Sequence, residues 1–128
     1  MDDQNKNQME TGTDWLEEYE GQLAIDAYQT PESVIIKAPI AGVKPEDLDI
    51  DINDEVVTIR GTRKSVGEVE KEHFYVQECY WGAFSRSYVL PIAVDASGSN
   101  AALKDGILTI TIPKQERTKT HKISIKTD

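Results

Sequence analysis

Two histidines, one cysteine and a run of alternating aspartates are the residues of this chain best equipped to do chemistry. His73 stands among charged residues at the start of an apolar run, and His121 stands in a basic tail. His73 and Cys79 could in principle pair as base and nucleophile, but nothing around them forms a nucleophile elbow. Lone histidines of this kind are mostly solvated or structural. Asp47, Asp49 and Asp51 fall on one face of a strand, where their oxygens could hold a hard cation. The same spacing also makes a charged face that discourages edge pairing, which is the reading adopted. Gly82-Ala83-Phe84 and Asp105-Gly106 read as turns, since no helix follows either to supply a phosphate-binding dipole. Cys79 alternates with Gln77 and Trp81 and reads as a half-buried thiol rather than a redox sensor. A single cysteine also excludes an internal disulfide and a Cys-pair metal site. These residues make no case for an enzyme, a cofactor or a metal.

The elements around them are short strands. Ile25 and Ala27 continue an alternation begun at Leu23, and Val34-Ile35-Ile36 is an apolar run closed by Ala38-Pro39. Leu48-Asp49-Ile50-Asp51-Ile52 alternates most cleanly, with Leu48, Ile50 and Ile52 on its apolar face. Asn53-Asp54-Glu55 turns the chain into Val56–Arg60, and a charged stretch runs from Gly61 to Glu72. Strands are expected at Phe74–Trp81, at Phe84–Leu90 ahead of Pro91, and at Ile107–Ile112 ahead of Pro113. Asp105-Gly106 is a tight-turn dipeptide. Short strands, frequent turn signals and no long helical period predict an all-β chain, an antiparallel β-sandwich.

Charge and length limit the partners. The 128 residues carry 14 Lys and Arg against 23 Asp and Glu, a net charge of −9. That balance disfavours nucleic acid and anionic membrane surfaces, which both recruit cations. No apolar run approaches the ~20 residues of a membrane span. With no signal-like start, a cytoplasmic protein of one domain is expected.

Both ends differ from the middle. Residues 1–20 form an acidic arm with seven acids and one lysine, too polar to order itself. Its apolar cluster is Trp15, Leu16 and Tyr19, following an Asp14–Glu17 capping box. The domain proper is expected at 21–113. Residues 114–128 form an extension; from Pro113 to Asp128 five cations face two acids, a net of +3 against −12 for residues 1–112. Ile123-Ser124-Ile125 is the only apolar feature of that tail, with two branched side chains on one face of an extended segment. Such a triplet suits a short added strand, with backbone pairing for affinity and two knobs for specificity.

Four segments, in order, resemble the small heat-shock protein family, the α-crystallin-domain chaperones of bacterial and archaeal type. Ala38-Pro39-Ile40-Ala41-Gly42-Val43-Lys44-Pro45-Glu46-Asp47-Leu48 is similar to the family's Pro-Gly-Val then Glu-Asp segment, with Ile40-Ala41 inserted. Gly82-Ala83-Phe84-Ser85-Arg86-Ser87-Tyr88-Val89-Leu90-Pro91 resembles its Gly-x-Phe-x-Arg-x-x-x-Leu-Pro strand. Ala102-Leu103-Lys104-Asp105-Gly106-Ile107-Leu108 resembles its Ala-x-x-x-Gly-x-Leu signature, and Ile123-Ser124-Ile125 its Ile-x-Ile tail.

The resemblance implies an immunoglobulin-like sandwich of seven or eight strands that acts as an ATP-independent holdase on partly unfolded clients. It implies dimers made by exchanging a strand from the loop between Gly61 and Trp81, and higher homo-oligomers. Ile123 and Ile125 would enter a groove of another subunit, between the Leu48–Ile52 strand and the Leu108–Ile112 strand that holds Ile110. Arg86 would serve fold or dimer contacts, its guanidinium over apolar surface or on an acid. Trp15, Leu16 and Tyr19 would meet clients, although this arm is shorter and more acidic than is usual in the family. The rival readings are a sandwich-fold co-chaperone adaptor that docks a larger ATP-driven chaperone, and an enzyme built on Cys79 or His73.

Overall fold

Alternating apolar residues need two sheets to cover them, and the computed structural model, which describes residues 21–65 and 67–127, has two sheets of four strands. The strands are β1 (Gly21–Gln22), β2 (Asp26–Gln29), β3 (Ser33–Pro39), β4 (Leu48–Ile52), β5 (Val56–Arg63), β6 (Gly82–Val89), β7 (Asn100–Lys104) and β8 (Ile107–Pro113). One sheet runs β1-β6-β5-β4 and the other β2-β3-β8-β7. All pairings are antiparallel except the two-residue β1–β6 pair. Between the sheets lie Val57, Ile59 and Phe84 from one side and Val34, Ile36, Ala38, Leu108, Ile110 and Ile112 from the other. The expected sandwich is present.

Local chemistry explains the turns. Asp105 and Gly106 both have positive φ, 53° and 77°, the conformation a two-residue hairpin needs to join β7 to β8. The Asn53 side-chain oxygen accepts from the Glu55 and Val56 amides at 2.7 and 2.8 Å, reversing the chain between β4 and β5. Gly61 sits where a Cβ would come within 2.5 Å of the Phe84 ring, so the absent side chain lets the aromatic pack across β5.

Several expectations change. The Leu23–Ala27 alternation is split, because the chain crosses from one sheet to the other between β1 and β2. Asp47 belongs to a 3-10 turn, Pro45–Asp47, and its side chain is 13% exposed and pairs with Lys64 at 3.0 Å, so only Asp49 and Asp51 lie on the outer strand face. Gly82 opens β6 rather than turning the chain. Phe74–Trp81 joins no ladder, although Tyr80 near its end lies against the edge strand β1. Strand β7 goes unmarked in the sequence because Asn100-Ala101-Ala102 carries little β signal.

Candidate functional site

Each sheet ends in an edge strand on the same side of the sandwich, β4 in one and β7 in the other. Between them lies a groove of about 290 Å³ lined by Pro45, Leu48, Ile50, Ala101, Ala102, Leu103 and Leu108. The alternation of β4 makes it. Leu48, Ile50 and Ile52 turn inward but stay half-buried because no further strand covers them, while Asp49 and Asp51 face solvent. Small residues at 101 and 102 keep the opposite wall low. An apolar floor between two edge strands suits the apolar face of an extended segment.

This placement corrects the expected groove in two respects. Strand β8 is interior, flanked by β3 and β7, so the second wall is β7. Leu108 reaches the groove only as floor, at 2% exposure, and Ile110 is wholly buried in the core with no surface to offer a partner.

Ile123 and Ile125 are 87% and 92% exposed and touch nothing that shields them. The tail leading to them is not free along its whole length. Thr118 Oγ1 donates to the Ala93 carbonyl at 2.8 Å, and Gln115 Nε2 donates to the Val94 carbonyl at 3.1 Å. The Thr120 amide donates to the Pro31 carbonyl at 3.3 Å. Lys119 Nζ bridges Glu32 at 3.2 Å and Glu116 at 2.9 Å. The hydrogen bond and charge of Lys119 hold the Glu116 carboxyl below its usual range, and its bonds to Glu116 and Glu32 raise the Lys119 ammonium.

On the opposite side of the sandwich β2 is an edge strand whose four residues are all exposed. The described part of the 64–81 segment carries Val69, Phe74, Tyr75, Val76, Tyr80 and Trp81 exposed, an apolar load unusual for a solvated loop. Tyr80 ties its end to the domain, its hydroxyl accepting from the Gly21 amide at 3.1 Å and donating to the Ala83 carbonyl. Among the described residues Arg86 makes no ion pair, and it shares the inner face of β6 with Phe84 and Tyr88. Its Nη1 donates to the Leu23 carbonyl at 3.1 Å, securing the segment that follows β1.

The other candidates are dispersed. His73 lies on the surface 3.9 Å from Glu70, His121 is exposed, and Cys79 is exposed rather than half-buried. No group of three or more metal-ligating side chains occurs among the described residues. Trp15, Leu16 and Tyr19 lie outside the described residues. The bracket at 114–120 escapes sequence reading, since its acceptors are backbone carbonyls of distant loops.

A sandwich with an open groove between β4 and β7, and a tail ending in Ile-x-Ile, is the architecture of the α-crystallin domain. The model of the Hsp20/alpha crystallin family matches residues 26–127, and the chain belongs to that family of small heat-shock proteins, which are in general ATP-independent chaperones and not enzymes. It is 35% identical over 101 residues to small heat shock protein C2 of Rickettsia felis, covering 79% of this chain and 66% of that protein. It is 34% identical to spore protein SP21 of Stigmatella aurantiaca, covering 80% of this chain and 60% of that one. The match thus spans less than two thirds of either relative. Among solved structures, heat shock protein 16.0 of Schizosaccharomyces pombe superposes with a TM-score of 0.69 at 30% identity, covering 82% of this chain and 98% of that one. A small heat-shock protein of Xylella fastidiosa, described as having a distinct high order structure, gives 0.67 at 30% identity with 82% and 96% covered.

Proposed function

We propose that this protein is an ATP-independent holdase that binds partly unfolded proteins and suppresses their aggregation under stress, working as a homo-oligomer of exchanged dimers. The observation that carries the reading is the pairing of two exposed isoleucines, two residues apart in the tail, with the apolar groove between β4 and β7. Tail and groove match in polarity, and the net +3 of residues 113–128 opposes the −12 of residues 1–112, so the occupant is the tail of another copy. The exposed aromatics of 67–81 and the unpaired edge of β2 support exchange of that loop between two copies, where Phe74–Trp81 would gain the ladder it lacks alone. Arg86 supports the fold from within the chain.

Clients are assigned to the arm, through Trp15, Leu16 and Tyr19. The net charge of −9 speaks against nucleic acid and anionic membranes as partners, and no described helix is long and apolar enough to cross a membrane. A cytoplasmic place of action fits these features. The co-chaperone adaptor gains no support from the relatives and is set aside.

The test is suppression of aggregation of a heat-labile client without nucleotide. Full suppression near one chain per client is expected, and no suppression at that ratio refutes the reading. A chain starting at Gly21 is expected to keep its cooperative melt and hold clients less well; equal suppression removes the arm from the mechanism.

A further inference from the structure

The Tyr80 hydroxyl fills a place that backbone groups ordinarily fill themselves. In the parallel β1–β6 pair Gly21 stands opposite Phe84 and Gln22 opposite Ser85, and the Leu23 amide donates to the Ser85 carbonyl at 3.2 Å. Even spacing of bonds in a parallel ladder puts the preceding rung between the Gly21 amide and the Ala83 carbonyl. The Tyr80 hydroxyl stands in that rung instead, accepting from the Gly21 amide at 3.1 Å and donating to the Ala83 carbonyl. Its ring lies against Gly21, where a Cβ would come within 2.9 Å of Cε2 and 3.2 Å of Cζ. Strand β1 is only two residues long, so this rung is a large share of what holds its start.

Both ends of the link lead to elements with other work to do. Gly21 is where residues 1–20 join the domain, and Tyr19, Leu16 and Trp15 stand two, five and six residues before it. The direction of the chain at Gly21 therefore sets where that apolar cluster goes. Tyr80 lies near the end of Phe74–Trp81, which exposes Phe74, Tyr75, Val76 and Trp81 and joins no ladder of its own chain. Strands β1 and β2 are the edge strands on one side of the sandwich, so the link sits on the side where the β2 edge is open. Arg86 holds the Leu23 carbonyl independently at 3.1 Å, so the chain after β1 stays in place without Tyr80.

We infer that Tyr80 is a positioning residue that couples the root of the arm to the foot of the 74–81 segment, so that pairing of this segment with a second copy also fixes where the arm leaves the domain. The inference rests on the exchange of that segment proposed above, and adds a link from the exchange to the arm. A segment whose foot is already held gives up less freedom when it pairs, which slows separation of the two copies. Displacing Tyr80 loosens both ends at once. Gly21 lies outside the segment, and the Tyr80 contact is its route to the pairing.

The experiment measures how fast dimers trade subunits. The reference is the full chain with Ile123→Ala and Ile125→Ala, so that contacts between dimers do not contribute, and with Cys79→Ser and Lys126→Cys for labelling. Donor-labelled and acceptor-labelled dimers are mixed, and the rise of energy transfer reads their separation. Tyr80→Phe keeps the ring, loses the hydroxyl, and is expected to trade about fivefold faster, the worth of one net hydrogen bond. Gly21→Ala, whose Cβ displaces the ring, is expected to speed the trade by a similar factor. The two together should be no faster than the faster single variant, because both remove one contact. Gln22→Ala, beside Gly21 but away from Tyr80, should keep the reference rate. Tyr80→Phe or Gly21→Ala at the reference rate, factors that multiply in the double variant, or Gln22→Ala as fast as Gly21→Ala overturns the inference and leaves the exchange standing. A reference chain that sediments as a monomer overturns the exchange and the inference with it.

Discussion

Replacing Ile123 and Ile125 together by alanine is the perturbation whose consequence the structure specifies most fully. Each change removes three carbons, and at about 0.8 kcal/mol per buried CH₂ the pair accounts for about 5 kcal/mol per docked tail. Nearly the whole side chains contribute, because they are 87% and 92% exposed before docking. About 5 kcal/mol weakens each docking by roughly 3,000-fold, at about 1.4 kcal/mol per tenfold. The same exposure means that neither side chain supports the sandwich, so domain stability should change by less than ~0.5 kcal/mol. Light scattering at low micromolar concentration should show the particle falling to dimers, while urea unfolding keeps its midpoint and slope. A double variant with the parent's mass refutes the docking, as does a parent that is already only a dimer. A lowered urea midpoint would show that the isoleucines serve the fold instead.

Three further perturbations probe the scaffold. Gly61→Ala should cost ~1–3 kcal/mol, because the new Cβ meets the buried Phe84 ring at 2.5 Å and the Asp47 carbonyl at 3.0 Å; an unchanged thermal midpoint contradicts that packing. Arg86→Ala leaves the part-buried Leu23 carbonyl without its donor, at ~1–3 kcal/mol, and should speed amide exchange at Gly21–Leu23 in advance of the rest of the domain. The Lys119–Glu116 contact should be complete at neutral pH. Glu116 lies below its ordinary 4.5, so its share is present above that value and is lost as pH falls through the lowered pKa. Lys119 lies above its ordinary 10.5, so its share is present below that value and is lost as pH rises through the raised pKa. Protection of the Lys119 and Thr120 amides relative to their intrinsic exchange rates should fall at both extremes; protection that does not change with pH would show that the ion pairs do not hold the start of the tail.

The sequence by itself settles what depends on near neighbours. Period-two alternation in Leu48–Ile52 and Ile107–Ile112 needs only the pleat to become an inward face and an outward one. Asp105-Gly106 needs only its own dihedral preferences to form the hairpin. The two isoleucines of the tail are legible because an apolar pair in a charged segment has no local reason to be there. What the sequence leaves open is everything set by strand order. Whether β7 or β8 faces β4 depends on which strand is the edge, and two runs of apolar alternation do not say. Hence Ile110, on the interior strand, is core, while Leu103 on the edge strand lines the groove. Arg86 finds a carbonyl 63 residues away in sequence, and Thr118 finds one 25 residues away, contacts that exist only once the loops at the sandwich end have met. Backbone carbonyls are the same on every residue, so such partners leave no mark in the side-chain code, and only the tertiary fold selects them.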